Sequence, residues 1–423
     1  MLQLPYLREN AEKALQGLAK RNKDFAPLIQ QVIGIDENRR KVQNELDHLL
    51  AESNKLSKEI GDLFKQGKRE EADGLKNRTV EIKEKTKELE SQLAALEEEQ
   101  KHLLYQIPNV PHESVVFGKG ADDNVEVYNN GLVVNLTDHK LPHWEITEKY
   151  NLIDFELGVK IAGAGFPVYV GKGARLQRAL INFFLDEAMK AGYKEYQPPH
   201  LVNEASGYGT GQLPDKEGQM YHCGVDDLYL IPTAEVPLTN LFRDVILKED
   251  ELPVKLTGYT PCFRREAGSY GKDVRGLNRL HQFDKVEIVQ LAHPDKSYQH
   301  LEEMVEHVKG LLNKLELPFR ILRLCGGDMG FTSALTYDFE VYSAAQERWL
   351  EVSSTSNFET FQANRLKCRF KGGENKAQLV HTLNGSALAL PRIVAALLEN
   401  HQDGNGVRIP EVLVPYCGFE RIN

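Results

Sequence analysis

At 423 residues, with 41% hydrophobic and 27% charged positions, the chain has the composition of a soluble globular protein of more than one domain. A net charge of −10 argues against a general nucleic-acid coat, while leaving room for one RNA partner met by local Lys and Arg patches. The opening MLQLPYLREN lacks the apolar run of a signal peptide and no stretch approaches a membrane span, so the expected compartment is the cytoplasm.

From about Ile29 to Leu104 the sequence is charge-rich, poor in aromatics and free of proline. Ile35, Val42, Leu49, Leu56 and Leu63 recur every seven residues, with Val32, Leu46 and Ile60 between them. After Gln66-Gly67-Lys68 the pattern resumes as Leu75, Ile82, Leu89, Leu96 and Leu103. Alternating steps of four and three make one apolar seam on each helix. So short a break predicts an antiparallel coiled-coil hairpin, each arm roughly 50 Å long at ~1.5 Å per residue. Ser53, Thr79, Thr86 and Gln100 fall on seam positions and predict modest packing there. The lysines and arginines toward the tip are mixed with glutamates and read as a solvated face. Taken alone, the segment is a spacer or a dimerisation coiled coil. Ile107-Pro108-Asn109-Val110-Pro111 ends the helix and divides the chain into an arm, 1–108, and a second domain, 109–423.

The second domain reads as α+β. Short strands are expected at Val168–Val170, Asp227–Pro232, Thr257–Arg264, Phe283–Leu291 and Leu379–Leu383, with helices at Ala174–Ala191, Pro294–Leu315 and Pro391–His401. Strands that follow one another through loops and hairpins suggest a largely antiparallel sheet flanked by helices. Neither a Gly-x-x-x-x-Gly-Lys-(Ser/Thr) loop nor a Gly-x-Gly-x-x-Gly after a strand is present, so a nucleotide would be held in another way. Five scattered cysteines, Cys223, Cys262, Cys325, Cys368 and Cys417, lack the close spacing of a zinc or redox site and read as reduced structural thiols.

The chemistry concentrates in Phe263 to Glu287, a hairpin with a long basic loop. Strand alternation puts Arg264 with Glu266 on the first strand, and Phe283 with Lys285 and Glu287 on the second. A guanidinium suits phosphate, an aromatic plane suits a nucleobase, and carboxylates suit amines. Farther along, Pro391 is tolerated at a first helical position, which puts Arg392 in the opening turn of its helix beside unpaired N–H groups. Taken alone, Thr233 reads as a helix cap and Glu351-Val352-Ser353-Ser354 as an exposed strand end.

Phe263-Arg264-Arg265-Glu266 and Arg279-Leu280-His281-Gln282-Phe283 fit the pattern aromatic-Arg-x-Glu, loop, (Arg/His)-x-x-x-Phe. The segment resembles motif 2 of the class II aminoacyl-tRNA synthetases, in the version of the seryl-tRNA synthetases. Gly192 to Pro199 resembles motif 1, the dimer-forming element, with His200 where an apolar residue is more usual. Leu383 to Arg392 resembles motif 3, with Ala387 and Pro391 where glycine is usual. Ile231-Pro232-Thr233-Ala234-Glu235 resembles the serine-binding loop, and Glu351 to Ser354 the ATP and magnesium segment.

This resemblance spans essentially the whole chain and implies a class II catalytic domain that joins L-serine to tRNA(Ser) through a seryl-adenylate, and it leaves open whether tRNA(Sec) is a further acceptor. It implies Arg264 and Arg392 as catalytic arginines on the α- and γ-phosphates. Thr233, Ala234, Glu235, Glu287, Asn384 and Ser386 would bind serine. Arg264, Arg265, Glu266, Phe283, Glu351, Val352, Ser353, Ser354 and Arg392 would bind ATP, with Phe283 under adenine and Glu266 on its amino group. Glu351 and Ser354 would hold Mg²⁺, and no zinc is expected. Alternation sets Ser353, not Ser354, on the face of Glu351, so a bulge is required between them. The partners implied are the long variable arm and the acceptor end of tRNA(Ser), and a second copy of the chain through motif 1. Two rivals share the scaffold: a ligase loading a carrier protein, which would lack the long arm and use zinc, and a non-catalytic RNA-binding paralogue, which would have lost Arg264, Glu266 or Arg392. A coiled-coil adaptor leaves the catalytic-type motifs without a role.

Overall fold

A computed structural model describes residues 1–134, 136, 140–266, 275–373 and 376–423. The chain divides into two compact units, one of Met1–Ala19 and Lys23–Pro108, the other of Lys20–Asn22 and Asn109–Asn423.

In the first unit, α1 (Ala26–Lys65) and α2 (Arg69–Leu104) are the expected long helices. Gly67 lies at φ +76°, a conformation that suits glycine at so tight a reversal. Exposed ion pairs bridge the two antiparallel helices, Arg78 to Glu52 at 3.1 Å and Lys85 to Glu45 at 2.8 Å. Apolar packing is concentrated in the base half, around Val42, Leu46 and Leu89. Near the base, Asp36 is buried and receives Arg8, Arg39 and Arg40, while Gln100, one of the polar seam residues, reaches it at 3.4 Å. A buried carboxylate needs such partners.

The second unit is built on an eight-stranded sheet. Its strands are β1 (Val125–Asn129), β2 (Lys194–Glu195), β3 (Val254–Phe263), β4 (Gln282–Ala292), β5 (Phe319–Arg323), β6 (Leu335–Ser343), β7 (Arg348–Asn357) and β8 (His381–Ala389), in the spatial order β1-β5-β6-β7-β8-β4-β3-β2. All neighbours pair antiparallel except β2 and β3. One face is covered by apolar stripes of α4 (Gly171–Lys190), α6 (Ser297–Lys314) and α8 (Leu390–Asn400), which join the largest hydrophobic core. Three short helices complete the frame of the site: α3 (His143–Lys149), α5 (Glu235–Asn240) and α7 (Thr360–Leu366). The expected α+β architecture is present. Among the described residues no helix is long and apolar enough to cross a membrane, and all five cysteines are free thiols.

Candidate active site

The β3–β4 hairpin supplies the floor. Its register sets Phe283 opposite Cys262, Lys285 opposite Thr260 and Glu287 opposite Gly258, and residues directly opposite in an antiparallel pair share a face. Arg264 N–H continues the ladder by donating to His281 O at 2.9 Å. The Arg264 guanidinium lies 5.2 Å from the Phe283 ring centroid, and its Nε donates to Pro232 O at 3.3 Å. Phe263 N–H in turn donates to Ile231 O at 2.8 Å, which ties the 231–235 loop to the hairpin.

Strand alternation does not place Glu266. The strand ends at Phe263, and Glu266 takes φ +47°, so its position comes from a left-handed backbone step and from an ion pair to Arg279 Nε at 2.7 Å. The loop residues 267–274 lie outside the described residues. Arg265 turns elsewhere, its guanidinium 5.5 Å from the Tyr221 ring centroid.

Beyond Phe283 the face becomes a buried polar pocket. Thr233 Oγ1 donates to Glu287 Oε2 at 3.0 Å, and Lys285 Nζ lies 2.6 Å from the same oxygen. Glu235 N–H donates to Thr233 Oγ1 at 3.2 Å, but the cap position of α5 falls to Ala234, so Thr233 closes the turn before the helix instead of capping it as expected. Gln362, on α7, donates to Glu235 Oε1 at 2.6 Å and accepts from Thr382 Oγ1 at 2.7 Å. Ser386 sits directly opposite Glu287 on β8. Asn384 lies close enough to Glu235 to favour its charged form, yet its buried Nδ2 makes no hydrogen bond of normal geometry. Burial first, and then the nearby charge of Glu287, push the Glu235 carboxyl up to about 7. Ala234 is fully buried against Leu238 and Leu256, so its side chain is packing.

The third group gathers on β6, β7 and α8. Glu351 to Ser354 lies inside the ten-residue β7, not at an exposed strand end. Phe339 pairs with Ser353 and Glu340 with Glu351, leaving Val352 as an extra residue: the required bulge is there. Val352 is buried core, and Ser353 turns inward to donate to Ser386 O at 2.6 Å. Asp338, opposite Ser354, faces both Ser354 and Glu351. Burial and the charge of Glu351 hold its carboxyl above the usual range, and Asp338 Oδ1 is buried without a hydrogen-bond partner. Two carboxylates and a hydroxyl offer hard oxygens of the kind Mg²⁺ takes. The group is incomplete by itself, for no preformed cluster of three His, Cys, Asp or Glu occurs among the described residues. It fits an ion that arrives with phosphate oxygens of its own.

Arg392 stands in the first turn of α8, with Pro391 at an N-terminal position. Its Nε donates to Asn278 O at 3.2 Å, and its NH1 donates to Glu351 O at 2.6 Å. Asn278 adjoins Arg279, the partner of Glu266, while Ala389, three residues before Arg392, pairs with Lys285. Arg264, bonded to His281, and Arg392, bonded to Asn278, are thus attached to one short return limb leading into β4, residues 277–281, at one end of the β4–β8 pair. Lys285, Gln362 and Asp338 belong to the site without having been among the residues expected there. Lys285 alone had a signal, lying at period two between Phe283 and Glu287.

An antiparallel sheet with an arginine, a stackable ring and a carboxylate pocket on one face defines a class II synthetase core. Residues 221–401 match the family described as tRNA synthetase class II core domain (G, H, P, S and T), and residues 1–111 match the seryl-tRNA synthetase N-terminal domain. The chain belongs to the seryl-tRNA synthetase family. It is 51% identical to the serine–tRNA ligase of Salinibacter ruber, over 100% of this chain and 99% of that one, and 47% identical to that of Neisseria meningitidis, over 99% and 98%. Among solved structures it resembles the seryl-tRNA synthetase of Pyrococcus horikoshii complexed with ATP, at a TM-score of 0.92 and 34% identity over 100% of this chain and 99% of that one.

Proposed function

We propose that the protein is a serine–tRNA ligase that activates L-serine with ATP and transfers it to the 3′-terminal ribose of tRNA(Ser), with tRNA(Sec) as a further acceptor. The carrying observation is the buried Thr233–Glu287–Lys285–Glu235 pocket, open to the same face as Arg264 and Phe283.

In the first step a serine carboxylate oxygen attacks the α-phosphorus and pyrophosphate departs. A carboxylate is already a nucleophile, so placement and charge neutralisation supply most of the acceleration. Arg264 binds the α-phosphate, where its planar fork meets two oxygens at once. Phe283 stacks under adenine and Glu266, released from Arg279, accepts from its amino group. Arg392 binds the γ-phosphate. Glu351 and Ser354, with Asp338 beside them, would hold Mg²⁺, which neutralises phosphate charge. In the pocket Lys285 neutralises one carboxylate, while Glu235 meets the substrate ammonium. Thr233, Glu287, Asn384 and Ser386 surround the hydroxyl. Alanine would offer no hydroxyl to the buried, unpartnered Asn384 Nδ2, so a site built this way discriminates against it.

Residues 109–423 are the catalytic domain on this reading, and 1–108 the arm that grips the long variable limb of the tRNA. Arms of roughly 54–60 Å, at ~1.5 Å per residue over 36 and 40 residues, suit an RNA limb far from the acceptor end. A homodimer through Gly192–Pro199 and the preceding helix belongs to the same reading. Serine-dependent exchange of pyrophosphate into ATP, run beside glycine, alanine, threonine and proline, tests it. Serine is expected to exceed the others by orders of magnitude, and parity with any of them overturns the assignment.

A further inference from the structure

His143 and Glu399 form a wholly buried pair outside the residues assigned so far, both at 0% exposure. Glu399 Oε1 accepts from the His143 backbone N–H at 2.9 Å, from His143 Nδ1 at 2.7 Å and from Gln346 Nε2 at 2.9 Å, while Oε2 accepts from Ser343 Oγ. His143 Nε2 accepts from the backbone N–H of Leu277 at 2.8 Å. An imidazole nitrogen that accepts an N–H carries a lone pair, so the proton sits on Nδ1 and one tautomer is fixed.

The placement of this pair gives it a use. Glu399 follows Arg392 by seven residues on α8, two turns on, so the two side chains share a helix face. Leu277 precedes Asn278, whose carbonyl receives Arg392 Nε at 3.2 Å and whose Nδ2 donates to Gln346 Oε1 at 3.3 Å. The network therefore closes: α8, through Glu399 and His143, holds Leu277; the next residue holds Arg392 of the same helix. Gly276, at φ +65°, shows how close the approach is, for a Cβ there would lie 2.2 Å from His143 Nε2 and clash with it.

We propose that His143 and Glu399 are positioning residues that clamp the return limb, Leu277 to Arg279, onto α8 and so preset Arg392 for the nucleotide. This rests on the reading of Arg392 as a nucleotide ligand. Neither residue touches the serine pocket, so the clamp acts on ATP and not on the amino acid.

The test compares His143→Ala, His143→Gln and Glu399→Gln in the full-length protein, with ATP and serine affinities measured separately by calorimetry and exchange kinetics run alongside. His143→Ala leaves the buried Leu277 N–H without its acceptor and takes one of four donors from the Glu399 carboxylate, and ATP affinity is expected to fall roughly tenfold. His143→Gln, which retains a donor and an acceptor, is expected to recover part of that loss. Serine affinity should stay within twofold throughout. In an Arg392→Ala background, His143→Ala should weaken ATP no further. A merely structural pair would lower the active fraction and the melting temperature while leaving both affinities unchanged, which overturns the proposal, as does an undiminished effect without Arg392. If His143→Ala does not fold, Glu399→Gln decides: folded protein with wild-type ATP affinity overturns the clamp. Wild-type protein that binds ATP without serine-dependent exchange refutes the serine assignment and leaves the clamp standing on its ATP affinities. Wild-type protein that binds no ATP overturns both.

Discussion

If Glu235 receives the serine ammonium, its raised pKa must show in serine recognition. The carboxyl titrates at about 7 because burial and the charge of Glu287 oppose its ionisation more than Gln362 and Lys285 favour it. A group with that value is roughly 90% ionised at pH 8 and ~10% at pH 6, a tenfold fall worth about 1.4 kcal/mol. kcat/KM for serine reports the free enzyme, so in pyrophosphate exchange it should fall about tenfold between those two values, with half the loss near pH 7. The same parameter for ATP should change much less. Glu235→Gln should flatten the bend and weaken serine by roughly 10- to 150-fold at pH 8, the loss of about 1.5–3 kcal/mol for one hydrogen bond to a charged group. Stability should move in the opposite sense. A carboxyl raised from 4.5 to about 7 on folding contributes stability in full below 4.5, and loses it as pH climbs through 7. The substitution removes that loss, so the variant should be more stable than wild type at pH 8, by up to about 3 kcal/mol. A serine profile flat from pH 5.5 to 8.5 in the wild type, or a bend that survives in Glu235→Gln, refutes the reasoning.

Arg264→Lys keeps the charge over Phe283 but loses the two-pronged fork, and should slow adenylate formation by two orders of magnitude or more; near-normal pre-steady-state rates would remove the bidentate argument. Asp338→Asn withdraws one of the two carboxylates at the bulge, and should raise several-fold the Mg²⁺ concentration for half-maximal exchange. An unchanged magnesium dependence takes Asp338 out of the site. Replacing Asp36–His102 with a short linker should abolish tRNA charging while sparing exchange. Equal loss of both would leave the arm without its proposed role. Asp36→Ala strips the shared partner from Arg8, Arg39 and Arg40, and should destabilise the arm by about 1–2 kcal/mol, the three arginines being partly solvated. Thermal melting followed by circular dichroism near 222 nm checks this.

The sequence by itself determined the features that are periodic or local. Heptad spacing foretold both arm helices and the turn at Gly67, because side-chain direction repeats with the helix and needs no knowledge of the partner. Pro391 marked the start of α8, and the alternation of Phe283, Lys285 and Glu287 marked one face of β4. The bulge was legible as a contradiction: Glu351 and Ser354 could share a side of β7 only if one residue were extra, and Val352 is that residue. Where alternation ran past the strand, at Glu266, it failed, since a left-handed backbone step carries no signal in a glutamate. What the tertiary structure decided was long-range company. Gln362 reaches Glu235 across 127 positions, and Glu399 reaches His143 across 256. Nothing near these residues in the chain distinguishes them from ordinary polar surface. Their roles exist only because a buried carboxylate must find donors, and the fold supplies those donors from distant segments.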